Sequence, residues 1–277
     1  MGVPLRIIVE SEIAAQAQHG GQFELSGPDI TLSPKVVEVM SLALHELATN
    51  ALKYGAFSVP DGRLTVNWSS IEKRGTSWLL LDWIEKGAPP RPYSNRRGFG
   101  SELIEGRIPY ELGGSGKIIF APEGVHCHLE FPLRDGPSVL ETDAPQPATI
   151  FGGALDMIGA PDLTGLKVLV VEDDYYQAAD TAAALRGAGA EVLGPCANEE
   201  KARDLLNSEM PTHAVIDLNL GGGGPNFEVA RLLKSLGIPF VFLTGYDAQV
   251  VPQELTDVVR LQKPVEFRQI IEEVGRL

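Results

Sequence analysis

The pattern of apolar and polar positions changes character once along the chain, and each half predicts its own architecture. Upstream, the spacing predicts a helix from Leu5 to about Gln18 and a short strand near Phe23–Leu25. A long helix follows over Pro34–Tyr54, with Ser33 placed to cap it, Pro34 at its first position and Gly55 as terminator. Runs of strand character at Leu64–Trp68 and Trp78–Ile84 precede a Gly/Pro/Arg-rich loop, Gly87–Gly98, and a helix over about Ser101–Leu112. A closing pair, Lys117–Phe120 and Val125–Pro132, is joined by the turn-forming Ala121-Pro122-Glu123-Gly124. Helices with mostly antiparallel strands in this order predict an α+β sandwich over residues 1–133.

Downstream, over residues 166–277, short apolar runs alternate with helical periods. Strands are expected at Lys167–Val171, Glu191–Leu193, Ala214–Asp217, Pro239–Leu243 and Val258–Leu261. Helices are expected at Tyr175–Ala188, Glu199–Ser208, Phe227–Leu236 and Glu266–Val274. Continuous apolar strands between helices predict a doubly wound α/β domain with a parallel sheet. Between the halves, residues 134–165 hold four prolines and five glycines, with one basic residue against five acidic ones. No sustained period runs through them, so they read as an interdomain linker, and the apolar stretch 148–158 reads as a partly buried connector or a docking segment.

Composition narrows the function. Twenty-three basic residues against 37 acidic ones leave a net charge of −14, which argues against nucleic-acid partners because phosphate recognition needs basic patches. The two cysteines, Cys127 and Cys196, lie in no metal-ligand spacing, and the expected compartment is a reducing cytoplasm. No apolar run approaches the roughly 18–20 residues of a membrane span.

Two constellations carry candidate chemistry. Within the long helix, His45, Glu46, Thr49, Asn50 and Lys53 fall inside an arc of roughly 140°. Asn and Thr are poor helix-interior residues, so this is an expensive way to make a wet face. Glu46 and Asn50, four apart, offer a carboxylate and an amide oxygen on one side, with Lys53 a turn further. That set suits a hydrated Mg²⁺ carrying phosphate oxygens; a polar arc that simply faces water is the other reading. Glu85 ends a strand with Gly87 two residues on, and Gly98-Phe99-Gly100 opens a helix, where backbone amides can approach an anion.

In the alternating half, Glu172 and Asp173 follow the first strand, Asp217 ends the third, Thr244 the fourth, and Lys263 follows the fifth. Polar residues at the carboxyl ends of such strands converge on one crevice. Three carboxylates together repel unless a cation neutralises them. Mg²⁺ held directly by Asp173 and Asp217, and through water by Glu172, answers that need. Asp217 is then the candidate nucleophile toward a phosphoryl group, whose oxygens Thr244 and Lys263 would hold.

The segment His45-Glu46-Leu47-Ala48-Thr49-Asn50-Ala51-Leu52-Lys53-Tyr54-Gly55, then Trp83-Ile84-Glu85 and Gly98-Phe99-Gly100, resembles the catalytic ATP-binding domain of HWE-type sensor histidine kinases, over residues 5–133. The resemblance implies the GHKL (Bergerat) ATP fold, with ATP and Mg²⁺ as cofactors. It implies Asn50 as a Mg²⁺ ligand, Glu46 positioning or activating the reacting groups, and Glu85 recognising adenine. It places His45 and Lys53 in the nucleotide site, has Gly87, Gly98 and Gly100 shape a lid, and leads us to expect one arginine of that short basic lid, among Arg91, Arg96 and Arg97, on the triphosphate. Residues 166–277 resemble a response-regulator receiver, through Val170-Val171-Glu172-Asp173-Asp174 and Lys263-Pro264. That implies strand order 2-1-3-4-5, aspartyl phosphorylation at Asp217, a Mg²⁺ site completed by the carbonyl of Asn219, and a cis Lys263–Pro264 bond.

Departures from both families shape the expectations. Kinases of this kind carry a phosphoacceptor histidine on a two-helix dimerisation domain, and His19 stands in no such motif. The expected partner is therefore a histidine-containing dimerisation or phosphotransfer domain, in a longer form of the same protein or in trans. A downstream response regulator or phosphotransfer protein is the second expected partner, and a homodimer is expected only where the helical domain is present. In the receiver-like half, Arg260 occupies the usual switch-aromatic position, and only 18 residues, interrupted by Pro252, separate Thr244 from Lys263. The fourth helix is thus expected to be short or missing; Phe242-Leu243-Thr244-Gly245-Tyr246 resembles the Phe-Ala-Thr-Gly-Tyr variant of receivers, which implies Tyr246 as the signalling aromatic. An anti-sigma-factor-like Ser/Thr kinase, or a non-catalytic nucleotide sensor, are the alternatives.

Overall fold

The computed structural model describes residues 2–17, 21–88, 98–133, 160–220, 225–245 and 250–277. They form two units, Met1–Ser138 and Val139–Leu277, each described by itself.

The first unit is a layer of helices on one face of a mixed sheet. A short strand pair, β1 (Val3–Pro4) and β3 (Thr31–Leu32), brackets α1 (Leu5–Ala14) and β2 (Phe23–Ser26). The long helix α2 (Pro34–Tyr54) precedes two 11-residue strands, β4 (Arg63–Lys73) and β5 (Thr76–Lys86). After α3 (Phe99–Glu102) and α4 (Ile108–Leu112), β6 (Ser115–Ala121) and β7 (Gly124–Pro132) close the unit. The sheet order is β2-β4-β5-β7-β6, antiparallel except for β2 beside β4. Strand alternation decides what is buried. Leu79, Leu81 and Trp83 of β5 point into the core with Leu64 and Val66 of β4 and Cys127, Leu129 and Phe131 of β7. Ile8, Val9 and Ile13 of α1 and Met40, Leu44 and Leu47 of α2 cover them.

Three local expectations are revised. The β4–β5 hairpin runs well past Trp68 and Trp78, because Arg74 and Gly75, both at positive φ, make its tight turn and the polar residues beside it still pair. The expected helix 101–112 is interrupted: Leu103–Arg107 is a π-helical segment between α3 and α4. Pro109 lacks the N–H that would bond one turn back, which accounts for the break. Finally, Ser33 occupies the cap position of α2 without a side-chain capping bond, and Gly55 ends the helix at φ −112°. Gly55 is therefore not a left-handed terminator, and its glycine needs another explanation.

The second unit is a five-stranded parallel sheet. Its elements are β8 (Lys167–Val171), α5 (Tyr175–Gly187), β9 (Glu191–Cys196), α6 (Glu199–Ser208), β10 (His213–Asp217), α7 (Glu228–Ser235), β11 (Phe240–Thr244), β12 (Val259–Gln262) and α8 (Phe267–Val274). The strands lie in the order β9-β8-β10-β11-β12. Leu169, Val171, Ala214, Ile216 and Phe242 pack on one face beneath α6 and α7. Val168, Val170, Val215, Val241 and Leu243 pack on the other beneath α5 and α8. Both faces are covered, which explains the continuous apolar strands. Among the described residues, only the short 3₁₀ turn Gln253–Leu255 stands between β11 and β12. Both Gly194–Pro195 and Lys263–Pro264 are cis. The far end of the segment read as linker packs here: Leu163 is buried in the core and its N–H donates to the Ala188 carbonyl. Segment 148–158, Tyr246, His19, Arg91, Arg96 and Arg97 lie outside the described residues.

Candidate functional site

In the second unit the carboxyl ends of β8, β10 and β11 meet the loop after β12. Glu172 and Asp173 follow β8 directly, Asp217 ends β10 and Thr244 ends β11. One ligand oxygen from each of Glu172, Asp173 and Asp217 lies within 4.8 Å of the others. Lys263 enters from the far side, its backbone N–H donating to the Thr244 carbonyl at 2.8 Å. Its ammonium donates to Asp217 Oδ2 at 2.8 Å and to Glu172 Oε2 at 2.9 Å. These side chains are only 6% (Lys263), 2% (Glu172) and 5% (Asp217) exposed, so the charges act in a poorly screened setting.

The electrostatics follow from crowding. Burial pushes the Glu172 carboxyl well above its ordinary range, and Asp217 adds to that, with Lys263 pulling the other way. Burial would lower the Lys263 ammonium, yet Glu172 and Asp217 outweigh it and hold it above its usual value. Three carboxylates against one ammonium leave an uncompensated negative charge in the crevice. A hard divalent cation with oxygen ligands fits that donor set. Backbone geometry supports the same centre: Asn219 N–H donates to Asp217 Oδ1 at 3.0 Å, and Asp174 N–H to Glu172 Oε1 at 3.2 Å.

In the first unit, the polar stripe of α2 divides. Asn50 and Glu46 are half-buried and face α3, where a Cβ on Gly100 would sit 3.2 Å from Asn50 Nδ2 and 3.7 Å from Glu46 Cβ. Gly100 thus lets the start of α3 approach the stripe closely, while a Cβ on Gly98 would meet open space. His45 turns elsewhere: its Nδ1 lies 3.0 Å from Glu12 Oε2 of α1. Lys53 is exposed. Gly87, at φ +83°, backs onto Asp61 and Gly62.

Glu85 occupies the core-facing row of β5 after Leu79, Leu81 and Trp83, and is 3% exposed. Its Oε1 accepts from Trp83 Nε1 at 3.0 Å and its Oε2 from Ala56 N–H at 2.8 Å. The carboxylate therefore clamps the backbone beyond α2 to the sheet. That contact explains Gly55, since a Cβ there would lie 1.8 Å from Glu85 Oε2. Trp83 and Glu85 act together because residues two apart on a strand share a face.

A third polar group was not legible in the sequence. Buried Arg107, from the π-helical segment, donates to Glu111 Oε1 at 2.8 Å and Glu38 Oε1 at 2.7 Å, while Lys35 Nζ lies 2.8 Å from Glu111 Oε2. It ties the start of α2 to α4. Gln177 was missed too: its Oε1 accepts from Lys263 at 3.0 Å.

No protein-family model matches the chain. It is 35% identical over 133 residues to a blue-light-activated histidine kinase of Brucella anthropi, across 48% of this chain and 27% of the relative. A blue-light-activated histidine kinase of Rhizobium johnstonii is 36% identical over 107 residues, 39% of this chain and 30% of that one. The chain thus spans less than a third of these relatives' length. Similar solved structures include the histidine kinase domain of a blue-light activated histidine kinase from Erythrobacter litoralis, with 17% identity and TM-score 0.37 over 47% of this chain and 59% of that one. Another is the response regulator PhyR from Brucella abortus, with 20% identity and TM-score 0.38 over 42% of this chain and 48% of that one. No helix among the described residues is long and apolar enough to cross a membrane.

Proposed function

We propose that this chain is the ATP-binding and receiver portion of a hybrid HWE-type histidine kinase in a two-component pathway. The observation that carries the reading is the buried crevice in which Lys263 bridges Glu172 and Asp217 beside Asp173. Asp217 accepts a phosphoryl group there; its carboxylate oxygen forms the new P–O bond as the donor's bond to phosphorus breaks. Lys263 and the Thr244 hydroxyl hold the phosphoryl oxygens, and the chemistry is positioning and charge neutralisation. Asp173, Asp217, the Asn219 carbonyl and, through water, Glu172 would hold Mg²⁺, which when bound supplies the positive charge the three carboxylates lack.

In the first unit, Asn50 and Glu46 beneath Gly100 are the proposed triphosphate and Mg²⁺ side of an ATP site, with Gly98 opening the lid. Glu85, at the end of its strand two residues before Gly87, is the proposed adenine-recognising residue. The phosphoryl leaves ATP for a histidine on a separate helical domain, and then passes to Asp217. The reading predicts Mg²⁺-dependent ATP binding that is lost in Asn50→Ala and Glu85→Ala, measured by calorimetry. Unchanged affinity in both variants removes the kinase assignment.

A further inference from the structure

An ammonium carries three N–H donors and no acceptor, and Lys263 uses all three. Glu172 Oε2 and Asp217 Oδ2 take two, and Gln177 Oε1 takes the third at 3.0 Å. Gln177 lies in the first turn of α5, where its own N–H donates to the capping Asp174 Oδ1 at 2.8 Å. The helix cap thus fixes the backbone from which the amide reaches Lys263. Of the three acceptors, Gln177 is the one without charge, and it stands with Glu172 as an acceptor that phosphorylation of Asp217 leaves chemically unchanged.

We infer that Gln177 is a positioning residue for phosphoryl transfer at Asp217: it holds the Lys263 ammonium over the acceptor while one of the ammonium's N–H donors, keeping its proton, turns from the Asp217 carboxylate to a phosphoryl oxygen. The inference rests on Asp217 as the acceptor. With acetyl phosphate as donor, an Asp217 carboxylate oxygen bonds to phosphorus as the bond to acetate breaks, and acetate departs with the electron pair. No proton transfer to Asp217 is needed. Without Gln177, the ammonium keeps two anchors on carboxylates, one of which is itself reacting.

The test measures initial labelling of the full chain by acetyl phosphate with Mg²⁺, in wild type, Gln177→Met, Lys263→Met and the double variant. Methionine preserves the size of the side chain and removes the oxygen acceptor. Gln177→Met should label roughly ten-fold more slowly, the scale of one hydrogen bond to a charged group. In the Lys263→Met background the same change should have less than about a two-fold effect, because the group it positions is gone. Equal slowing in both backgrounds, or no slowing in either, overturns the inference. A second readout is the ¹⁵N resonance of the Lys263 ammonium, which should lose its protection from solvent exchange in Gln177→Met; an unchanged resonance overturns it as well. Labelling that persists in Asp217→Asn refutes the acceptor assignment itself, a separate failure.

Discussion

Gly55→Ala is the smallest change with a large calculable effect on the first unit. A Cβ at position 55 would lie 1.8 Å from Glu85 Oε2, 2.9 Å from Glu85 Cδ and 2.8 Å from Ala51 Cα. Non-bonded heavy atoms settle at about 3.5 Å, so the carboxylate must retreat by more than an ångström. That retreat breaks the 2.8 Å bond from Ala56 N–H and misaligns the 3.0 Å bond from Trp83 Nε1. Both donors are buried and would be left without this acceptor. Hydrogen bonds to a charged group contribute about 1.5–3 kcal/mol each, so the loss is about 3–6 kcal/mol, a large part of a typical domain's about 5–15 kcal/mol. All three tryptophans, Trp68, Trp78 and Trp83, lie in this unit, so tryptophan fluorescence during urea unfolding reports on it alone. At about 1–3 kcal/mol per molar urea, the midpoint should fall by at least about 1 M. In a Glu85→Ala background the same substitution should cost clearly less, because the clamp is already gone and only the approach to Ala51 Cα remains. A Gly55→Ala midpoint within about 0.3 M of wild type would refute the clamp.

Other outcomes follow from the same contacts. Lys263→Met leaves Glu172 and Asp217 buried without their ammonium, and should cost the second unit about 3–5 kcal/mol at low divalent ion. Hydrogen exchange of β8 and β10 amides measures this, and added Mg²⁺ should recover part of the loss; protection equal to wild type contradicts it. Burial pushes the Glu111 carboxyl up, but the Arg107 hydrogen bond and the Lys35 charge outweigh it and hold it below its usual range. A depressed carboxyl contributes stability above its unfolded value, about 4.3, and that contribution disappears as pH falls through the folded value. Tryptophan-detected unfolding should therefore show Glu111→Gln weaker than wild type at neutral pH, with the gap closing in acid; a gap independent of pH contradicts this.

What the sequence made legible was the chemistry that secondary structure alone gathers. Glu172, Asp173, Asp217, Thr244 and Lys263 converge because all stand at or just beyond strand ends of one parallel sheet, and five apolar runs were enough to locate those ends. Glu46 and Asn50 could be paired from helical spacing. Contacts between elements distant in sequence were not legible. Glu85 could be placed at a strand end, but its bond to Ala56 depends on where α2 finishes over the sheet; Gly55 does end α2, while the carboxylate that requires a glycine there lies 30 positions on. His45 fell within the same polar arc as Asn50, yet α1 offers it Glu12. Gln177 carried no signal beyond a helical position, because its role comes from a residue 86 positions away. Arg107 carried no signal either, because its partner Glu38 lies 69 positions away.

The central claim is that phosphate passes from ATP, through a histidine, to Asp217. The direct measurement supplies γ-³²P-ATP, Mg²⁺ and a two-helix histidine domain to the full chain, and follows label by acid and base stability. The account predicts acid-labile label on the helical domain, then base-labile label on this chain that is absent in Asp217→Asn. Acid-stable label on serine, or label on this chain that survives Asp217→Asn, would contradict it.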